Sequence, residues 1–101
     1  MARIVRRPKR RTTAAIPEFF SSLTARDWRQ IRATAKSLFS SGDFENGTAE
    51  ETIMSSKGYV NVVANEYDGE AGVEARGFLL TQRFWPRAVK KARRVIRKRT
   101  R

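Results

Sequence analysis

The stretch TAEETIMSSKGYVNVVA, residues 48–64, decides the fold. Its second half, Tyr59 to Ala64, is β-branched and aromatic, the composition of a strand. Its first half reads two ways. Thr48 to Met54 can pair with that strand, with Ser55 to Gly58 as the hairpin turn. Thr48-x-x-Glu51 is also a capping-box pattern, and Gly58 can end a short helix. The hairpin is preferred, because a lone strand leaves its backbone donors and acceptors without partners.

Helices are expected on either side. Upstream, Thr24-x-x-Asp27 resembles a capping box with Asp in the usual Glu place. Trp28, Ile31, Ala35, Leu38 and Phe39 then recur at helical spacing, with Arg29, Arg32 and Lys36 on other faces and Gly42 as a stop. A helix over about 24–40 follows. Downstream, Phe84, Trp85, Ala88, Val89, Ala92, Val95 and Ile96 form an apolar stripe. Arg87, Lys90, Lys91, Arg93, Arg94, Arg97 and Lys98 fill the rest, and Pro86 suits a first turn. This is a basic amphipathic helix over about 85–99. Ile16-Pro17 marks entry to the domain, with a short turn carrying Phe19, Phe20 and Leu23. Val73 to Leu80 can supply a further strand or a helix start.

The expected fold class is therefore α+β: two main helices, about 24–40 and 85–99, with a small antiparallel β-hairpin between them. Residues 1–15 read as a flexible basic arm, in which Arg3, Arg6, Arg7, Lys9, Arg10 and Arg11 surround Pro8. Residues 16–101 then form one small domain ending in the basic helix, the natural count for 101 residues.

Charge is the most informative composition term. There are 22 Lys and Arg against 10 Asp and Glu, a net +12. Residues 1–42, 43–74 and 75–101 stand at +8, −7 and +11. An acidic middle is thus bracketed by basic ends, where an ordinary soluble surface mixes its signs. The basic ends suit phosphate, and Arg predominance suits bidentate phosphate contact. The acidic middle of one copy can also meet the basic end of another in a head-to-tail contact. Like-charge blocks are also often merely solvated tails.

The candidate nucleic-acid residues are the six bases of the arm together with Arg87, Lys90, Lys91, Arg93, Arg94, Arg97 and Lys98. No recognition element is visible, so contacts without sequence choice are expected, with DNA favoured. A nuclear localisation signal competes for the arm. A lipid surface competes for the helix, but its apolar bulk is modest. Aromatics such as Phe19, Phe20, Trp28, Phe39, Tyr59, Phe78, Phe84 and Trp85 could stack on bases, but core packing is the stronger expectation. Glu66, Asp68, Glu70 and Glu74 are read as a subunit contact.

Enzymatic activity is not expected. The chain lacks His and Cys, which removes the usual general base, the commonest zinc ligands and the Ser-His and Cys-His nucleophile systems. The acidic cluster allows a metal-dependent nuclease reading, but it lacks a calcium-loop pattern and a nearby base. No catalytic residue, metal, cofactor, small-molecule substrate or membrane partner is expected. The first residues carry charge without an apolar segment, so a secretory signal is not read there, although an Arg-rich transit peptide is conceivable.

The order of elements resembles the head–tail joining, or tail-completion, proteins of tailed phages. The matching residues are Trp28 to Phe39, Tyr59 to Ala64, Glu74 to Gly77, Phe78-Leu79 and Phe84 to Ala88, spanning 24–98. The usual Pro-x-x-Thr-Gly segment after the first helix is missing, with Gly47-Thr48 a remnant at best. The resemblance implies a virion protein at the head–tail junction, forming a ring of copies around the DNA channel beside neighbouring assembly proteins. The alternative is a ribosome-associated or nucleoid-type RNA- or DNA-binding protein of the cytoplasm or nucleoid.

Overall fold

The computed structural model describes residues 16–91. In chain order these form α1 (Glu18–Ser21), α2 (Ala25–Ser41), β1 (Thr48–Ser55), β2 (Gly58–Asn65), β3 (Glu70–Ala75) and β4 (Phe78–Thr81). A 3-10 turn (Gln82–Phe84) then leads into α3, which is helical over 85–91. The four strands make one antiparallel sheet in the order β1-β2-β3-β4. The expected single hairpin is therefore wrong. It is the first half of a four-stranded meander.

The capping-box alternative at Thr48 is excluded by the ladder, because Thr48 to Ser55 pair residue by residue with Asn65 to Gly58. The missed strands are weak by composition. β3 reads Glu-Ala-Gly-Val-Glu-Ala, with one β-branched residue in six. Its pairing, not its propensity, makes it a strand. Arg76 and Gly77, at φ 53° and 76°, form a two-residue turn whose left-handed backbone matches the strand twist. That turn folds Phe78 to Thr81 back as β4.

Strand alternation sets two faces. Ala49, Val60, Val62, Ala64, Ala71, Val73, Ala75 and Leu80 are buried beneath the helices. Glu50, Thr52, Met54, Tyr59, Asn61, Glu74 and Leu79 have the opposite parity and form an uncovered outer face. Among the described residues, helices lie on one side of the sheet only, which makes two layers.

The layers are joined at two places. Trp28 of α2 and Trp85 of α3 are fully buried with ring centroids 5.7 Å apart. The Trp85 indole N–H donates to the Leu80 carbonyl at 3.0 Å, locking the start of α3 to β4. The second joint is Asp27, only 5% exposed. Its Oδ2 accepts from the Thr24 backbone N–H at 3.0 Å, while Thr24 Oγ1 accepts from the Asp27 N–H at 3.0 Å. This is the reciprocal capping box, with Asp serving in the Glu position. The same carboxylate accepts the Ser56 N–H at 2.9 Å and the Ser56 hydroxyl at 2.6 Å. One side chain therefore caps α2 and fastens the β1–β2 turn to it.

Glycine is required at the bend before β1. Asn46 and Gly47 both have positive φ, 55° and 82°. A Cβ on Gly47 would sit 2.1 Å from the ring of Tyr67, which lies over it. Because the Gly47 carbonyl also accepts the Glu66 N–H at 2.8 Å, this contact ties the β2–β3 turn to the entry of β1.

Burial raises the pKa of Asp27, but the bonds from Ser56 and Thr24 outweigh it and leave the carboxyl below its ordinary value. A lowered folded-state pKa gives stability that is present in full above the unfolded value of about 3.9. It is lost as pH falls below that point through the folded value. Asp27→Ala should cost about 3 kcal/mol, because it removes the bond from the Thr24 N–H and both bonds from Ser56 to a charged acceptor. Urea unfolding midpoints at pH 7 and pH 3 check this, with the gap between wild type and variant narrowing at the lower pH.

Candidate nucleic-acid and assembly surfaces

The described body is electrically balanced. Residues 16–91 contain ten bases and ten acids, so the whole excess of +12 lies in residues 1–15 and 92–101, six bases in each with no acid. Arg3, Arg6, Arg7, Lys9, Arg10 and Arg11 lie outside the described residues, as do Arg93, Arg94, Arg97 and Lys98. Of the expected nucleic-acid set, Arg87, Lys90 and Lys91 are described. Arg87 and Lys90 are exposed, and Lys91 is half-buried. Between them Trp85 and Ala88 are buried and Val89 packs against the core. The first two turns of α3 are thus amphipathic as the spacing predicts, and the remainder of the 85–99 helix falls outside the described residues.

The four acids expected to make a subunit contact do not converge. Glu66 and Asp68 sit in the β2–β3 turn, and Glu70 and Glu74 point outward from β3. Glu70 and Glu74 are four residues apart along a strand, about 13 Å. Asp68 Oδ1 accepts the Glu70 N–H at 3.0 Å, so this carboxylate shapes its own turn. Glu70 faces Arg83 at 3.9 Å, the one ion pair among the described residues. Both partners are well exposed, so the pair adds little to stability. No group of three or more Asp, Glu, His or Cys is placed to hold a metal ion among the described residues. The carboxylates form a spread acidic surface.

Two further sets of charged residues emerge from the fold. Glu50 joins the outer sheet face from β1 and accepts from the Asn61 side-chain amide at 2.7 Å, while Thr52 donates to Asn61 Oδ1 at 3.2 Å. Strand parity could have shown Glu50 on one face with Glu74, but only once β3 was known to pair with β2. On the opposite side of the slab, Arg26, Arg29, Arg32 and Lys36 are all exposed along α2. Arg29, Arg32 and Lys36 follow the three-then-four spacing that places side chains on one stripe. That signal was present in the sequence.

The aromatic expectation needs correcting at Tyr59. Phe20, Trp28 and Trp85 are core, but Tyr59 is 68% exposed on the outer face. Its neighbours Val60, Val62 and Ala64 take the buried parity of β2, which leaves Tyr59 no place in the core. Phe39 is also partly exposed, at the flank of α2. Met54 lies directly across from Tyr59, and Leu79 lies across from Glu74. Leu79 also lies over Gly72, where a Cβ would come within 2.9 Å of it.

An apolar hollow of about 190 Å³ beside β4 is lined by Ile16, Phe78, Leu79, Leu80, Thr81 and Phe84. It is smaller than the roughly 300 Å³ at which small-molecule sites begin, and only Thr81 brings a side-chain polar group. No described helix is long and apolar enough to cross a membrane. Comparison with protein-family models, curated proteins and solved structures gives no match to this chain.

Of Glu66, Asp68, Glu70 and Glu74, Asp68 alone accepts a hydrogen bond with its side chain among the described residues. Replacing Glu66, Glu70 and Glu74 together by Gln should therefore change unfolding free energy by less than about 1 kcal/mol. Urea denaturation checks this; a larger loss would show that these acids hold the fold together.

Proposed function

We propose that this protein is a non-enzymatic assembly subunit that contacts nucleic acid through its basic terminal segments while a neutral body makes protein contacts. The observation that supports this is the charge partition. The described residues 16–91 balance ten bases against ten acids, and the excess is carried by residues 1–15 and 92–101. Phosphate is the counter-charge such segments suit, with counterion release as the driving term. Sequence-independent DNA contact is the reading that fits, because a driving term of phosphate neutralisation carries no base readout.

The most specific form of this reading is a phage head–tail connector or tail-completion subunit. It would act as a ring component around the DNA channel at the head–tail junction of the virion. The resemblance in element order supports it. A helix is followed by antiparallel strands, a Gly-containing turn, and Phe78-Leu79 leading into a helix. Charge segregation supports the ring, since unlike faces favour head-to-tail contacts between copies.

Duplex DNA affinity measured across a salt series tests the phosphate contacts. The logarithm of affinity should fall steeply with the logarithm of salt. Replacing Arg93, Arg94, Arg97 and Lys98 by Gln should flatten the slope by about one for each phosphate no longer neutralised. An unchanged slope would remove these residues from the DNA surface, and a flat wild-type slope would sink the phosphate reading. Native mass measurement after nuclease digestion tests the assembly. A defined oligomer supports the connector. A monomer that gains mass only with RNA or DNA supports a ribosome-associated or nucleoid protein instead.

A further inference from the structure

We infer that the uncovered outer face of the sheet is the docking site for the α2 face of a second copy of this chain, making a head-to-tail contact. The inference rests on the assembly reading above and names the two surfaces that would carry it.

The outer face is acidic with apolar points. Glu50 and Glu74 stand on it, Glu70 lies at its end, and Glu66 and Asp68 flank it in the turn. Among the described residues only Arg83, beside Glu70, comes within ion-pair distance of one of these acids. Met54, Tyr59 and Leu79 rise from the same face, 53%, 68% and 51% exposed. An aromatic and two flexible aliphatic side chains among acids are the makings of an interface core with a charged rim.

The α2 surface is its complement. Arg26, Arg29, Arg32 and Lys36 are exposed, and the only acid of that helix, Asp27, is buried in the capping box. None of these four cations makes an ion pair with a described acid. The spacings also agree. Arg29 and Lys36 are seven residues apart on a helix, about 10 Å along its axis. Glu50 and Glu74 are two strands and two residues apart in the ladder, about 12 Å. A rigid pair of cations can therefore meet a rigid pair of carboxylates with little rearrangement. Because the described helices cover one side of the sheet, the two surfaces lie on opposite sides of the slab. The contact cannot be used up within one molecule. Repeated from copy to copy, it closes into a ring or continues as a filament.

Charge exchange tests this on the full chain, nuclease-treated, with light scattering as the readout. Glu50→Lys with Glu74→Lys turns the matched carboxylate pair cationic, and Arg29→Glu with Lys36→Glu turns the matched cation pair anionic, so that within each variant the two pairs have like sign. Each variant alone should associate at least tenfold more weakly than wild type. An equimolar mixture should regain assembly, because each surface of one variant then opposes an unlike surface of the other. Regained assembly also shows that both variants are folded. If wild type assembles and either variant does so unchanged, or the mixture fails to recover, this interface is wrong while the assembly reading stands. If the acidic-face variant alone loses assembly, the cationic partner is another segment of the chain, and the α2 assignment falls. A wild type that is monomeric once nucleic acid is removed overturns both the interface and the assembly reading.

Discussion

The arrangement depends on where the carboxylate of Asp27 is held. It caps α2 with Thr24 and, through its remaining lone pairs, accepts two hydrogen bonds from Ser56 in the β1–β2 turn. The residues lie 29 apart in sequence, so this is a long-range constraint made by one side chain. The helix N-terminus favours a negative charge at that point, and burial alone would oppose it. The hydrogen bonds from Ser56 and Thr24 settle the contest in favour of the ionised form. The consequence is geometric. With its first turn fixed to the end of the first hairpin, α2 lies across β1 and β2 with Trp28, Ile31, Ala35 and Leu38 down. Its cations then face away from the sheet.

That orientation gives the charge layout its meaning. Along the chain the pattern reads as basic, acidic, basic. In space it becomes three things: a neutral body, cations on the outer side of its helix layer, and acids on the outer side of its sheet. The excess positive charge is carried by residues 1–15 and 92–101 of the sequence. A net charge speaks to solubility and partners and not to fold. Only the assignment of each charge to a face separates contacts that need phosphate from contacts that another protein surface can make.

The helices were legible because their signals are local. Thr24 and Asp27 sit three residues apart and cap each other, and the apolar stripe from Trp28 to Leu38 repeats at the helical period. The start of α3 was legible for the same reason, through Trp85, Ala88 and Val89. The second half of the sheet was not. In β3 the buried positions are Ala71, Val73 and Ala75, too small and too weakly β-forming to advertise a strand. All three are buried, so the inner face of this strand is built from small side chains. The information lay in the partner, and a partner distant in sequence leaves no period to read. Glu50 and Glu74 could not be placed on one face until β2 was seated between their strands.

The uncovered sheet face is the point at which fold and function meet. A two-layer domain with helices on one side leaves the other side of its sheet to water or to a partner. Water alone would favour an unbroken polar surface, with Thr and charged residues at each outward position. Glu50, Thr52, Asn61 and Glu74 follow that rule, but Met54, Tyr59 and Leu79 break it. Gly72 is part of the same departure. It leaves room for Leu79 to lie flat across the sheet, so that an apolar side chain is spread over the face and not held clear of it. A face that is acidic enough to repel phosphate and apolar enough to gain from cover is poorly suited to nucleic acid. It is well suited to a cationic protein surface, and the body already carries one on its other side.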